Sequence, residues 1–207
     1  MKMLKKAAAV LLAAAMSLVM LTACGGGSGS SASLTAQALG DKYTVKYTLV
    51  EMNGQKVPGY TTTVMSDGTN SYSSDSDSKA ATLTTADASY TVNPKNMTAF
   101  KDEERDSMAD TMTKAMGVAS TGTTEYEGKT YVTETATFDL NGGKVSMSYC
   151  FYNGKMEYMM QKVVSPYGQT YSWVYKVDSI VKSVDAKTLD LSSYTLVDDY
   201  DGLGFED

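Results

Sequence analysis

The 207-residue chain contains no histidine. That removes His-based nucleophile triads, His-ligated zinc and the side chain that titrates closest to neutrality. Cysteine is almost absent, with Cys24 and Cys150 alone, and proline occurs three times. Basic residues are outnumbered, 18 against 24 acidic ones, giving a formal net charge of −6. Long apolar runs are missing too. The single candidate, Ala7 to Met20, falls short of the roughly 20 residues that a spanning helix needs. No cofactor-binding motif and no catalytic constellation stands out, so the expectation is a protein that is not an enzyme and has no cofactor and no metal.

The one apolar run has a context. Lys2, Lys5 and Lys6 precede it and Leu21-Thr22-Ala23-Cys24 follows it. A basic start, a short apolar stretch and small residues at its end read as a secretory signal. The last four residues resemble the bacterial lipobox. That resemblance implies a signal peptide over 1–23, cleavage before Cys24 and diacylglyceryl modification of the Cys24 thiol. Two acyl chains suffice for stable anchoring, so the expected location is the outer face of the cell membrane. Gly25 to Ser33 is a Gly/Ser tether, with a root-mean-square reach of roughly 15–18 Å. The expected organisation is signal 1–23, lipidated cysteine and tether 24–33, and one domain over 34–207.

Residues 1–23 hold three lysines and no acids, so the chain from Cys24 carries 15 basic against 24 acidic groups and a net charge of −9. Such an anion repels nucleic acid, which is bound through phosphate neutralisation. It lacks the polybasic face that docks on anionic headgroups. With Cys24 acylated, Cys150 has no partner for an internal disulfide and reads as an inert thiol. A monomer is expected.

Thr, Tyr, Val and Ser dominate the remainder in strand-length runs separated by turn signals, the pattern of an antiparallel sheet. Tyr43 to Met52 alternates, with Tyr43, Val45, Tyr47 and Leu49 on one face. Runs at 60–66, 69–74, 80–84, 88–92 and 97–101 follow, with Asp67-Gly68 read as a two-residue hairpin turn. From Asp102 to Ala119 the period changes. Met108, Met112, Ala115, Met116 and Ala119 recur at three and four, one face of an amphipathic helix, and acids crowd its start. Strands then return at 129–140, 144–152, 155–165 and 169–183, a four-stranded meander with Asn153-Gly154 as its clearest hairpin signal. The tail, with Leu189, Leu191, Tyr194, Leu196 and Val197, reads as a short closing strand followed by a solvated acidic end. Asp75-Ser-Asp-Ser and Asp198-Asp199-Tyr-Asp201-Gly202 are incomplete versions of a calcium loop and read as solvated.

Four pieces of this order resemble the lipoprotein-carrier superfamily of LolA-like and LppX-like proteins. They are the Ser-Asp-Gly-Thr-Asn-Ser-Tyr turn (66–72), Tyr-Thr-Val-Asn-Pro-Lys-Asn-Met (90–97) ahead of a helix, Tyr-Glu-Gly-Lys-Thr-Tyr (126–131) opening the meander, and Val-Asp-Ser-Ile through Leu-Ser-Ser-Tyr (177–194). The resemblance implies a mainly β (α+β) domain: a strongly curved antiparallel sheet, or half-barrel, with one amphipathic helix covering its concave face and an acyl ligand between them. Relatives place a sizeable helix before the first strand, where this chain offers only Leu34 to Leu39. The residues expected to line the ligand space are Met108, Met112 and Met116 on the helix, Met147, Tyr149 and Phe151 on one strand, and Trp173 and Tyr175 on another. Core packing is the plainer reading of the same residues. Two functions therefore stand open. One is an anchored lipoprotein that binds or carries an amphipathic or lipid ligand. The other is a cell-surface interaction module that contacts a protein or wall polymer and holds no small ligand.

Overall fold

The computed structural model describes residues 33–102, 120–140 and 142–205. The expected helix over 103–119 with Met108, Met112 and Met116, the tether and Cys24 lie outside the described residues.

A six-residue helix, α1 (Leu34–Leu39), opens the described chain, with the Ser33 hydroxyl accepting from the Ala36 amide as its cap. Then come β1 (Tyr43–Met52), the two-residue β2 (Gln55–Lys56), β3 (Thr61–Ser66), β4 (Ser71–Asp75), β5 (Ala81–Thr84), β6 (Ser89–Asn93) and β7 (Thr98–Lys101). After the undescribed segment follow β8 (Ser120–Tyr126), β9 (Lys129–Leu140), β10 (Gly143–Tyr152), β11 (Lys155–Val164) and β12 (Thr170–Val181). The chain ends in a one-turn helix α2 (Ala186–Leu189), a short 3-10 turn over Leu191–Ser193, β13 (Thr195–Val197) and a second 3-10 turn over Asp201–Leu203.

All the strands belong to one sheet. Its order is β13-β7-β6-β5-β4-β3-β1-β12-β11-β10-β9-β8, with β2 folded back on β1. Two antiparallel meanders, β3–β7 and β8–β12, meet where β1 pairs with β12. The sheet is not closed.

The sheet's two faces carry different cores in its two halves. Directly opposed residues of antiparallel strands share a face. The register Val177, Tyr47, Thr62, Asp75 therefore runs across one face, here called the front. On this face Tyr43, Val45, Tyr47 and Leu49 of β1 join Met147, Tyr149 and Phe151 of β10, Met159 of β11 and Trp173 and Tyr175 of β12 in one buried cluster. α1 seals it with Leu39. On β4–β7 the apolar residues change sides. Tyr72, Leu83, Tyr90, Val92 and Ala99 pack on the back face against Leu189 of α2 and Tyr194.

Several sequence expectations need correcting. The meander of the second half has five strands, because β8 precedes the four expected. The Asp67-Gly68 turn is longer than two residues: the Asp67 carboxylate accepts from the Thr69 and Asn70 amides and shapes a four-residue connection. Leu189 lies in α2 instead of a strand. The closing strand β13 pairs parallel to β7. The acidic tail is not all solvated, since Leu203 is fully buried and the Asn93 side-chain amide donates to the Leu203 carbonyl at 2.9 Å.

Gly59 shows why the chain can bring β3 alongside β1. A Cβ there would meet the Leu49 carbonyl oxygen at 1.6 Å, so only glycine fits that approach.

Candidate functional site

The front face gathers five of the eight expected ligand-lining residues. Met147, Tyr149, Phe151, Trp173 and Tyr175 all belong to one cluster. β10 alternates as read, so Cys150 turns to the back face with Ser146 and Ser148 and is buried there. Burial pushes its thiol up to about 12, which keeps it protonated and unreactive.

These five side chains are packed, each with at most 6% of its surface exposed. Polar atoms are shut in with them. The Tyr149 and Tyr175 hydroxyls and both side-chain amide atoms of Gln161 make no hydrogen bond among the described residues. Gln161 stands between Met147 and Trp173 in the register. Burial holds the Tyr149 and Tyr175 phenols far above their ordinary value. Tyr47 is raised in the same way, with Tyr175 and Asp75 adding to the effect. Thr62 beside it offsets this slightly but donates its own proton to Asp75. Asp75 itself is raised by burial, offset in part by that Thr62 bond.

One front-face carboxylate has a clear structural task. Glu134 of β9 accepts from the Leu34 and Thr35 amides at 2.7 and 2.8 Å and from the Thr35 hydroxyl at 2.6 Å. An anion at the helix start satisfies amides that have no intrahelical partner. It is what fixes α1 to the sheet.

The back face of β8–β11 holds an arrangement the sequence reading did not single out. Tyr126, Tyr158, Tyr131 and Tyr152 form a run of rings, with centroid distances of 5.0, 5.7 and 5.8 Å between successive members. The first two contacts are edge-to-face, the favoured geometry for aromatic pairs. Lys56 stands over the Tyr126 ring at 4.8 Å and Lys129 over the Tyr152 ring at 4.7 Å. Carboxylates complete the patch. Lys56 donates to Glu127 and to the Tyr126 hydroxyl, both at 2.6 Å. Tyr131 donates to Glu157 at 3.1 Å, Tyr158 to Glu127 at 3.2 Å and Tyr126 to Glu51 at 3.2 Å. Lys129 pairs with Glu157 at 3.5 Å. The Tyr131 phenol is pushed up to about 12 by burial and by its Glu157 partner, and the Glu127 carboxyl is lowered by its bond to Lys56.

The chain holds this patch at a conformational cost. Glu127 and Gly128 form the β8–β9 turn with φ of +49° and +74°, the two positive values of a type I′ hairpin. Glutamate is a poor choice for the first position, where Asn or Asp is preferred. The signal available in the sequence was Tyr126-Glu-Gly-Lys-Thr-Tyr131, whose aromatic residues bracket a two-residue turn.

Comparison with known proteins adds little to this geometry. No family profile matches the chain, and no curated protein matches it. Among solved structures it is similar to PNGF-II in two crystal forms, at 12% identity with TM-scores of 0.42 and 0.40. The matches cover 78% and 77% of this chain and 32% of the PNGF-II chain in each case. The chain thus spans about a third of that protein's length, and a likeness this distant carries no functional argument.

Proposed function

We propose that this chain is an extracytoplasmic lipoprotein held to the membrane through Cys24, and that its β domain is an interaction module whose contact surface is the back face of β8–β11. The observation that carries the reading is the tyrosine run with its lysine and glutamate rim. Tyrosine brings rigid area with a polar tip, which is why it concentrates at binding surfaces. Here the rings are held in place by one another and by five charged side chains, so little ordering is left for a partner to impose. Tyr152 keeps 36% of its surface exposed.

A curved sheet is part of this reading. Five strands separate β2 from β8 in the pairing order, yet Lys56 reaches Glu127. In a flat sheet six spacings would put them roughly 28 Å apart. That contact supports the strongly curved half-barrel.

The alternative, an amphipathic ligand held on the front face, is favoured by one specific observation: the amide of Gln161, between Met147 and Trp173, is buried without a partner among the described residues. A ligand headgroup would relieve that cost. The closeness of packing around it weighs against this alternative.

Oxidative footprinting of tyrosines tests the surface. The chain is labelled in intact cells and again after purification, with Tyr167 as internal control because 92% of its surface is exposed. Tyr152 should be protected in cells relative to the purified chain while Tyr167 is labelled equally in both. Equal labelling of Tyr152 in the two states removes the back face as the contact surface.

A further inference from the structure

The two edges of the sheet are built differently. β13 is three residues long and pairs in parallel, so it offers little to a neighbour. Short edge strands are one way proteins avoid unwanted pairing. β8 has seven residues, pairs with β9 without a register shift, and has no partner strand on its other side among the described residues. It contains no lysine, no proline and no bulge, and Glu125 is its one charged residue. Ser120 to Thr123 and Glu125 are exposed.

The hairpin fixes which amides face outward. Tyr126 and Lys129 close the two-residue turn. In such a hairpin the closing pair exchanges hydrogen bonds, and bonded pairs then alternate. Ser120, Gly122, Thr124 and Tyr126 therefore bond to β9. Thr121, Thr123 and Glu125 present their N–H and C=O groups to the open edge.

We propose that this edge pairs with the β8 edge of a second copy of the chain, antiparallel about a two-fold axis at Thr123. In that register Thr123 faces Thr123 and Thr121 faces Glu125, and all seven residues are used. Threonine pairs are favourable across strands, and no like charges are opposed. The three outward residues of each copy complete about six backbone hydrogen bonds. The proposal rests on the surface reading above, since Tyr126 ends this strand and opens the tyrosine run. It replaces the monomer expected from sequence. Anchoring two copies in one membrane raises their effective concentration and favours so small an interface.

Cysteine cross-linking in the full chain tests the register. Thr123→Cys places two thiols on a bonded pair with Cα atoms about 5.5 Å apart, within the roughly 4.4–6.8 Å that a disulfide bridges. Oxidised glutathione takes up the two hydrogens, yielding one intermolecular disulfide and two reduced glutathiones. Thr124→Cys is the control. Its thiol faces Gly122 of the second copy, and its counterpart lies roughly 7–8 Å away on the diagonal. On a non-reducing gel, Thr123→Cys should give at least roughly tenfold more dimer than Thr124→Cys, as the steep geometric demands of the bond require. The unsubstituted chain, in which Cys24 is acylated and Cys150 is buried, sets the background. Thr123→Pro, which removes an amide that β9 does not use, should abolish dimer seen by light scattering. Equal cross-linking of the two variants, or none, overturns the proposal. An adduct of Thr123→Cys with a chain of different mass also overturns it, and leaves the surface reading standing. Loss of Tyr152 protection in the footprint, by contrast, removes the surface reading whatever the gel shows.

Discussion

Asp75 sits in a row with Thr62, Tyr47 and Val177 on the front face, and its carboxyl is raised above the ordinary value chiefly by burial. The folded state therefore binds the Asp75 proton more tightly than the unfolded state does. By linkage, this group's contribution favours folding below its unfolded value of 3.8 and is lost as the pH rises through the higher folded value. Asp75→Asn keeps an acceptor for the Thr62 hydroxyl and removes the charge. The expected outcome is a variant at least as stable as the parent at pH 7, with the advantage shrinking as the pH falls toward 4. Urea unfolding at a series of pH values checks this, and a variant destabilised equally at every pH would show that the carboxylate is needed for another reason. Gln161 and Tyr149 are the opposite kind of residue. Their polar atoms are buried and without a partner among the described residues, and both are neutral near pH 7, so burial penalises them there without pH dependence.

At the scale of elements, α1 illustrates how a six-residue helix persists. So short a segment is not stable alone. Leu39 anchors it in the core, and Glu134 on β9 holds its first amides from 100 residues away in sequence. Glu134→Ala should cost about 2–3 kcal/mol, the order expected for hydrogen bonds to a buried charged group. It should also speed amide hydrogen exchange over Leu34–Leu39 far more than in β10. Uniform acceleration throughout would mean that Glu134 supports the sheet and not the helix.

The strands themselves were legible. β1, β3 to β7 and β9 to β12 fall close to their expected runs because alternation and Gly-containing turns mark them. β8 was missed because Ser120 to Glu125 has no apolar alternation, and its turn begins with Glu127 where a hairpin usually carries Asn or Asp. Which face each strand buries was not legible either. Tyr47 and Tyr72 both lie in alternating strands, yet they pack on opposite faces, because the C-terminal segment covers the back of β4–β7. That depends on where Leu189 and Tyr194 return, a long-range matter that local periodicity does not contain.

For the whole molecule, the expected ligand-lining residues of β10 and β12 lie in one buried cluster, and their environment decides how they are used. Close packing on the front face assigns them to the core. The tyrosine run on the back face emerges only when β8, β9, β10, β11 and the β1–β2 hairpin are brought together, and the Tyr126 to Tyr131 hairpin announces only part of it. A packed front face with the proposed contact surface behind it has a direct consequence for Met147, which is completely buried in the front cluster. Met147→Ala should lose about 2–5 kcal/mol of stability in urea unfolding, the cost of opening a cavity in a packed core, and native mass spectrometry of the parent chain should show no bound amphiphile. A loss below about 1 kcal/mol, together with a stoichiometric lipid in the parent, would mean that the front face is a ligand cavity and return it to the carrier reading.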